Sequence, residues 1–251
     1  MKQTEIRVAS FDVFPNSTLK PAALLRYMQQ LAREDCDGLG CTYRFMRSHN
    51  TVFVLTQIGL RFFRPVFEGE TVTLATYNDG VGPLVFDRGF EWSVGGERAG
   101  ICSSKWVLVR YDTRSIVRPR DFPVDFGTVV RERETVDIPR RFPSDGAAEV
   151  ARRTVNLSDL DENNHLNNCV YADVACDSVP GFDGLSRWCS EILVNFRHEA
   201  RRGDVLSVSH READGAHFVF ALNEASGEPC FESELRFGDL PARDPDADKI
   251  E

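Results

Sequence analysis

The chain has 251 residues, 42% hydrophobic and 27% charged, a balance that excludes a disordered scaffold or a fibrous array. Thirty basic against thirty-nine acidic residues leave a net charge of −9, which makes a poor general nucleic-acid binder, although 26 of the 30 cations are arginines that can form local basic patches. No apolar run approaches the roughly 20 residues of a membrane span, and Met1–Arg7 carries no secretory apolar core. The seven cysteines, at 36, 41, 102, 169, 176, 189 and 230, form no CxxC pair. That pattern points to free thiols in a reducing cytoplasm, with neither a zinc knuckle nor a disulfide framework, and no metal or cofactor is expected.

In chain order, a short strand is predicted over Glu5–Phe11, then a helix opened by Pro21 with Leu24, Leu25, Met28, Leu31 and Ala32 at helical spacing. Four strands rich in β-branched and aromatic residues follow, at Thr51–Phe63, Thr71–Tyr77, Leu84–Val94 and Ala99–Arg110. From Arg118 to Val150 the pattern breaks, with prolines at 119, 123, 139 and 143 and mixed charge. The series then restarts: a strand at Arg153–Leu157, a helix carrying Val170, Tyr171, Val174, Ala175 and Ser178 and stopped by Pro180-Gly181, and strands at Trp188–Arg197, Val205–His210, Ala216–Asn223 and Pro229–Phe237.

The restart is an internal repeat. Leu60-Arg61-Phe62 through Gly69-Glu70-Thr71-Val72 lies in register with Val194-Asn195-Phe196 through Gly203-Asp204-Val205-Leu206 at an offset of 134. Asn16-Ser17-Thr18-Leu19 lies on Asn163-Asn164-His165-Leu166 at an offset of 147, so copy one carries 13 extra residues between its helix and its next strand. One helix against several antiparallel strands, twice, is an α+β architecture. The expected divisions are 1–125 for the first copy, 126–150 for a linker, 151–240 for the second copy and 241–251 for a disordered acidic tail.

Ser158-Asp159-Leu160-Asp161-Glu162-Asn163-Asn164-His165-Leu166-Asn167-Asn168 is the densest polar cluster, placed between a strand and a helix start. Asp and Asn gather there as caps, but capping does not ask for a histidine among them. A helix N-terminus also suits a developing oxyanion, which favours carbonyl chemistry. At the matching places copy one has Thr18 for His165 and Pro65 for Glu199. One copy is equipped with ionisable groups and the other is not, as in an enzyme built from a duplicated binding fold.

The string from Asp159 to Asn168 with Tyr171, and Phe196-Arg197-His198-Glu199 with Gly203-Asp204, resemble the signature of plant and bacterial acyl-carrier-protein thioesterases. Gly69-Glu70-Thr71-Val72, Ser104-Lys105-Trp106-Val107 and Thr113-Arg114 fit the same family, so the resemblance runs from about residue 5 to residue 237. It implies a double hotdog fold, hydrolysis of fatty acyl thioesters and acyl carrier protein as partner; a homodimer is a separate assembly to test. Carried over by position, the catalytic residues are Asp161, Asn163, His165 and Glu199. Two departures stand out. Many plant members have a cysteine after the glutamate where this chain has Ala200, which disfavours a thiolate mechanism, and Asn195 replaces a family glutamate.

Other readings remain open at this level. An acyl-coenzyme A thioesterase would use the same chemistry, a hotdog dehydratase or hydratase would pair His with a carboxylate differently, and an acyl-binding module would keep the fold without catalysis. The arginines at 110, 114, 118, 120, 140, 141, 152, 153, 201 and 202 read equally as a solvated face or a landing patch for an acidic carrier.

Overall fold

A computed structural model describes residues 1–126 and 133–241. The tail expected over 241–251, apart from Pro241, and positions 127–132 of the expected linker lie outside the described residues. In chain order the first half has β1 (Lys2–Arg7), α1 (Pro21–Gly38), α2 (Tyr43–Ser48), β2 (Thr51–Phe62), β3 (Thr71–Val81), β4 (Phe86–Val94), β5 (Glu97–Arg110) and β6 (Ile116–Val117). The second has β7 (Ala148–Thr154), α3 (Asn168–Asp177), β8 (Arg187–Phe196), β9 (Val205–Ala213), β10 (Ala216–Asn223) and β11 (Pro229–Asp239).

All strands join one antiparallel sheet in the order β1-β3-β4-β5-β2-β8-β11-β10-β9-β7, with β6 hydrogen-bonded to β5. The two halves of that order are the same path walked twice and joined where β2 meets β8, Gln57 to Asn195 through Arg61 to Glu191. The salt bridge from Arg61 Nε to Glu191 Oε2, 2.9 Å, crosses the seam. α1 and α3 lie against each other over the sheet's apolar face, and one core cluster runs through both halves. This is the double hotdog arrangement expected from the sequence. Leu24, Leu25, Met28 and Leu31 on α1 are buried, each worth about 2 kcal/mol of apolar transfer.

The repeat is reproduced in a set of matching backbone hydrogen bonds. The Leu19 N–H donates to Val66 O at 2.7 Å and the Leu166 N–H to Ala200 O at 2.8 Å; Lys20 N–H meets Asp12 O and Asn167 N–H meets Asp159 O, both at 2.9 Å. Ser17 and Asn164 both sit in left-handed backbone, at φ 63° and 64°. The extra residues of copy one are spent on a longer central helix and on α2, an element the periodicity did not reveal.

Most strand boundaries shift by a few residues from expectation, and two of the shifts share a cause. β1 ends at Arg7 because Ser10–Asp12 winds into a short 3-10 turn, with the Asp12 carboxylate accepting the Ala9 N–H at 3.4 Å. Leu157–Asp159 does the same in copy two, Asp159 accepting from Asn156 N–H at 2.8 Å, so the strand expected at Arg153–Leu157 lies earlier and takes up the last residues of the expected linker.

The segment from 133 to 147 is packed on the sheet's other face. Val136, Ile138 and Phe142 are buried against Ile101, Leu193 and Phe218. Asn195 serves this segment: its amide donates to Pro139 O at 2.9 Å and accepts from Gln57 Nε2 at 2.6 Å. Glu232 pairs with Arg197 and accepts the Phe142 N–H at 3.2 Å. Gly59 makes room for the crossing, since a Cβ there would stand 2.9 Å from both Leu193 Cδ2 and Val136 Cγ1. Gly59→Ala is therefore expected to lower stability by about 1–3 kcal/mol through overpacking, read as a fall in denaturation midpoint with an unchanged m-value.

Candidate active site

The loop before α3 is shaped by one carboxylate. Asp161 Oδ1 accepts the backbone N–H groups of Asn163 and His165, at 2.8 and 3.1 Å, while the Asp161 N–H donates to His165 O at 2.8 Å. These bonds close a tight loop in which Asn164 takes the left-handed position that asparagine tolerates. The loop presents His165, and its imidazole Nε2 stands 3.1 Å from Oε2 of Glu199, just beyond the end of β8. The pair spans 34 residues of sequence but is a direct contact, held because Leu166 N–H is pinned to Ala200 O. His198, next to Glu199, points instead toward Glu228, its Nδ1 3.6 Å from Oε2.

In copy one the same loop carries Phe14, Asn16 and Thr18 in place of Asp161, Asn163 and His165. Asn16 Oδ1 there accepts from Thr18 N–H at 3.0 Å and from its hydroxyl at 2.6 Å. The backbone is conserved between copies and the chemistry is not.

His165, Glu199, Asp161 and Asn163 line one cleft of about 160 Å³, together with Arg114, Tyr111 and the side of β2. Asp161, Asn163 and Asn168 also line an adjoining cavity of about 240 Å³. That cavity runs into copy one between α1, α2 and the sheet, past Ala32, Met46, Phe53, Phe86, Trp106 and Phe126. Its wall is not wholly apolar. Arg88 Nη1 is bound to Asp35 Oδ2 at 2.8 Å, and burial pushes the neighbouring Asp87 carboxyl up, against the opposing charge of Lys105. Trp106 is both wall and core, its indole N–H donating to Ser104 Oγ at 2.9 Å.

The four residues expected from the sequence are thus brought together. The donors expected at the helix start are partly spent: Asn167 caps α3 by accepting the Cys169 N–H on its side-chain oxygen, and Val170 N–H bonds to Asn167 O, both at 2.9 Å. The amides of Asn163 and Asn168, both lining the two cavities, are the donors best placed for a carbonyl. Two neighbours were missed as site residues. Asn168 lies inside the polar cluster, and Arg114 belongs both to the family string Thr113-Arg114 and to a basic patch, neither of which marks it as a site residue, yet its Nη2 lies 3.0 Å from Glu199 Oε1.

Cys169 is no nucleophile. Burial pushes its thiol up to about 12, and its Sγ faces Gln29 Oε1 at 3.4 Å. Tyr171, under the site, is likewise pushed up, first by burial and then by Cys230, and packs edge-on against Phe196 and Phe231. Among the described residues no three His, Cys, Asp or Glu side chains converge to hold a metal ion.

Comparison with known proteins agrees on one family. The acyl-ACP thioesterase N-terminal domain matches residues 1–122 and the acyl-ACP thioesterase C-terminal domain matches residues 144–237. The chain belongs to the acyl-ACP thioesterase family. The oleoyl-acyl carrier protein thioesterase 1, chloroplastic, of Arabidopsis thaliana is 23% identical over 226 residues, covering 79% of this chain and 60% of its own length. The chain therefore spans about three fifths of that curated relative. An acyl-ACP thioesterase structure from Bacteroides thetaiotaomicron superposes with a TM-score of 0.77 at 20% identity, over 94% of this chain and 97% of the other. A 12:0-ACP thioesterase from Umbellularia californica gives 0.77 at 19% identity, over 95% and 97%. The family's fold covers both copies, and no helix among the described residues is long and apolar enough to cross a membrane.

Cys169→Ser is expected to leave turnover and pH profile unchanged, measured on any thioester the protein hydrolyses. A large loss of turnover with an intact fold would return the thiol to the reaction.

Proposed function

We propose that the protein hydrolyses fatty acyl thioesters carried by acyl carrier protein, giving a free fatty acid and the carrier's thiol. The observation that carries this reading is the 3.1 Å contact between His165 Nε2 and Glu199 Oε2 on a loop that opens into the adjoining cavity. Copy one, residues 1–125, houses the acyl chain, and copy two, residues 151–240, supplies the chemistry.

Hydrolysis needs a polarised carbonyl, an activated water and a proton for the departing thiolate. The amide of Asn163, with Asn168 beside it, donates to the thioester oxygen as negative charge builds there. The His165–Glu199 pair takes a proton from water as it attacks the carbonyl carbon. When the C–S bond breaks, the pair returns that proton to sulfur. Imidazole is suited to both transfers because its ordinary pKa lies near neutrality. Asp161 acts through the backbone, holding His165 and Asn163 at their stations.

The carrier docks against exposed arginines. Arg118, Arg140, Arg141, Arg201 and Arg202 are exposed, whereas Arg152 is tied to Glu149 and Glu224 and Arg153 to Asp159. Local cations would offset the net charge that otherwise repels an acidic partner. The seven free thiols suit a reducing compartment, here the cytoplasm. A homodimer would leave the site unchanged, because one chain already supplies both copies.

Glu199→Gln and His165→Ala are each expected to lower turnover at least about a hundredfold with folding intact. Release of free fatty acid, followed by mass on acyl-ACP and acyl-coenzyme A side by side, checks this. Near-normal rates in either variant remove that residue from the reaction, and formation of an unsaturated or hydrated acyl product would replace hydrolysis by a lyase reading. The rate on the carrier-linked substrate should fall with salt more steeply than on a small thioester, since screening at about 0.15 M acts over roughly 8 Å.

A further inference from the structure

Arg114 reaches the site from the copy that carries none of the reacting groups. It sits in the turn between β5 and β6, where its N–H donates to Arg110 O at 3.0 Å and the Arg110 N–H donates to Ser115 O at 2.8 Å. The turn is braced further by Asp112 Oδ1 accepting the Thr113 N–H at 2.7 Å and by the Thr113 and Ser115 hydroxyls at 2.9 Å. Arg114 itself is held at φ 57°, a left-handed conformation that an ordinary side chain adopts only at a cost. That conformation sends its guanidinium across the copy boundary. Nη2 stands 3.0 Å from Glu199 Oε1 and 3.3 Å from Oε2, while His165 Nε2 stands 3.1 Å from the same Oε2. The Tyr111 ring supports the approach, with the Arg114 guanidinium carbon 5.8 Å and that of Arg47 3.3 Å from its centroid.

We propose that Arg114 is a positioning residue for the hydrolytic reaction: it holds the Glu199 carboxylate against His165 and thereby assigns the two their separate tasks. The inference rests on the hydrolase reading above and deepens it. With both oxygens engaged by donors, Glu199 is not free to swing onto the carbonyl as a nucleophile. It accepts the Nε2 proton of His165, which leaves Nδ1 as the ring nitrogen that takes a proton from water and later delivers it to the thiolate. The cleft around Glu199 carries Arg114, Tyr111, His165, Asp161, Arg197 and His198. Of these, Arg114 and His165 are the groups placed within hydrogen-bond reach of the carboxylate, because Arg197 is paired with Glu232 and His198 is turned to Glu228.

The test compares Arg114→Met and Arg114→Lys with the wild type on acyl-ACP and on a small acyl thioester across pH, with circular dichroism and thermal unfolding as controls. Arg114→Met should lower kcat by roughly ten- to a hundredfold on both substrates with KM little changed, as misplacement of a catalytic group does. Its pH profile should change on both substrates as well, because a carboxylate no longer held against His165 disturbs the acid–base pair. Arg114→Lys should recover part of the rate, and Arg114→Met should cost nothing further when added to Glu199→Gln. A rise in KM confined to acyl-ACP, with kcat and pH profile kept, would make Arg114 a docking residue and overturn the proposal. Unchanged kinetics on both substrates would overturn it as well. A wild-type protein inactive on both would sink the hydrolase reading instead. The positioning role would then be judged by the NMR resonance of the His165 Nε2 proton, which must lose its hydrogen-bonded position in Arg114→Met and keep it if the proposal is wrong.

Discussion

The edge-to-edge pairing of β2 with β8 is the contact through which the two copies become one molecule. Each half ends in a long strand whose outer edge would otherwise present unpaired N–H and C=O groups, a costly and adhesive surface. Joining those edges antiparallel satisfies both and builds the continuous sheet on which α1 and α3 lie together. The geometry has a consequence for chemistry. The loop that precedes α3 and the strand end that carries Glu199 are brought against the flank of copy one, so the cleft holds residues from both copies.

Duplication then allowed the halves to diverge. Backbone hydrogen bonds around the two loops match closely, down to the left-handed Ser17 and Asn164. The side chains on that shared frame differ. In copy one Phe14, Thr18 and Pro65 stand where copy two has Asp161, His165 and Glu199. Copy one has instead a longer central helix and α2, which together wall a cavity. The cavity of copy one and the cleft at the polar loop of copy two adjoin, and Asn163 and Asn168 line both. The charged wall of that cavity, Arg88 with Asp35 beside Asp87, sets it apart from a plain hydrocarbon tunnel.

Much of this was legible in the residues. Helical spacing of Leu24, Leu25, Met28 and Leu31 identified the face of α1 that is buried, and the strand series matched the sheet to within a few residues. The aligned copies singled out His165 and Glu199 because a repeat supplies its own comparison. Misplaced boundaries had local causes: Asp12 and Asp159 each bend the chain into a 3-10 turn, and short polar turns carry no periodicity. The prolines and charges of 133–147 mark a connection between the copies but conceal that Val136, Ile138 and Phe142 are packed together in the core. Arg114 stands in the family string Thr113-Arg114 and among several arginines, and neither context says which guanidinium meets a carboxylate.

What the chain's residues determined alone is therefore everything that depends on local spacing: two α+β copies, the central helices, the polar loop and its candidate groups. Period and capping act over a few residues, and they are written in order along the polypeptide. What the tertiary structure decided is which distant groups share a space: the 3.1 Å approach of His165 to Glu199, the arrival of Arg114 from the other copy and the route of the cavity. Those follow from strand register and helix packing, where a contact spans 85 residues and its energy belongs to both partners at once.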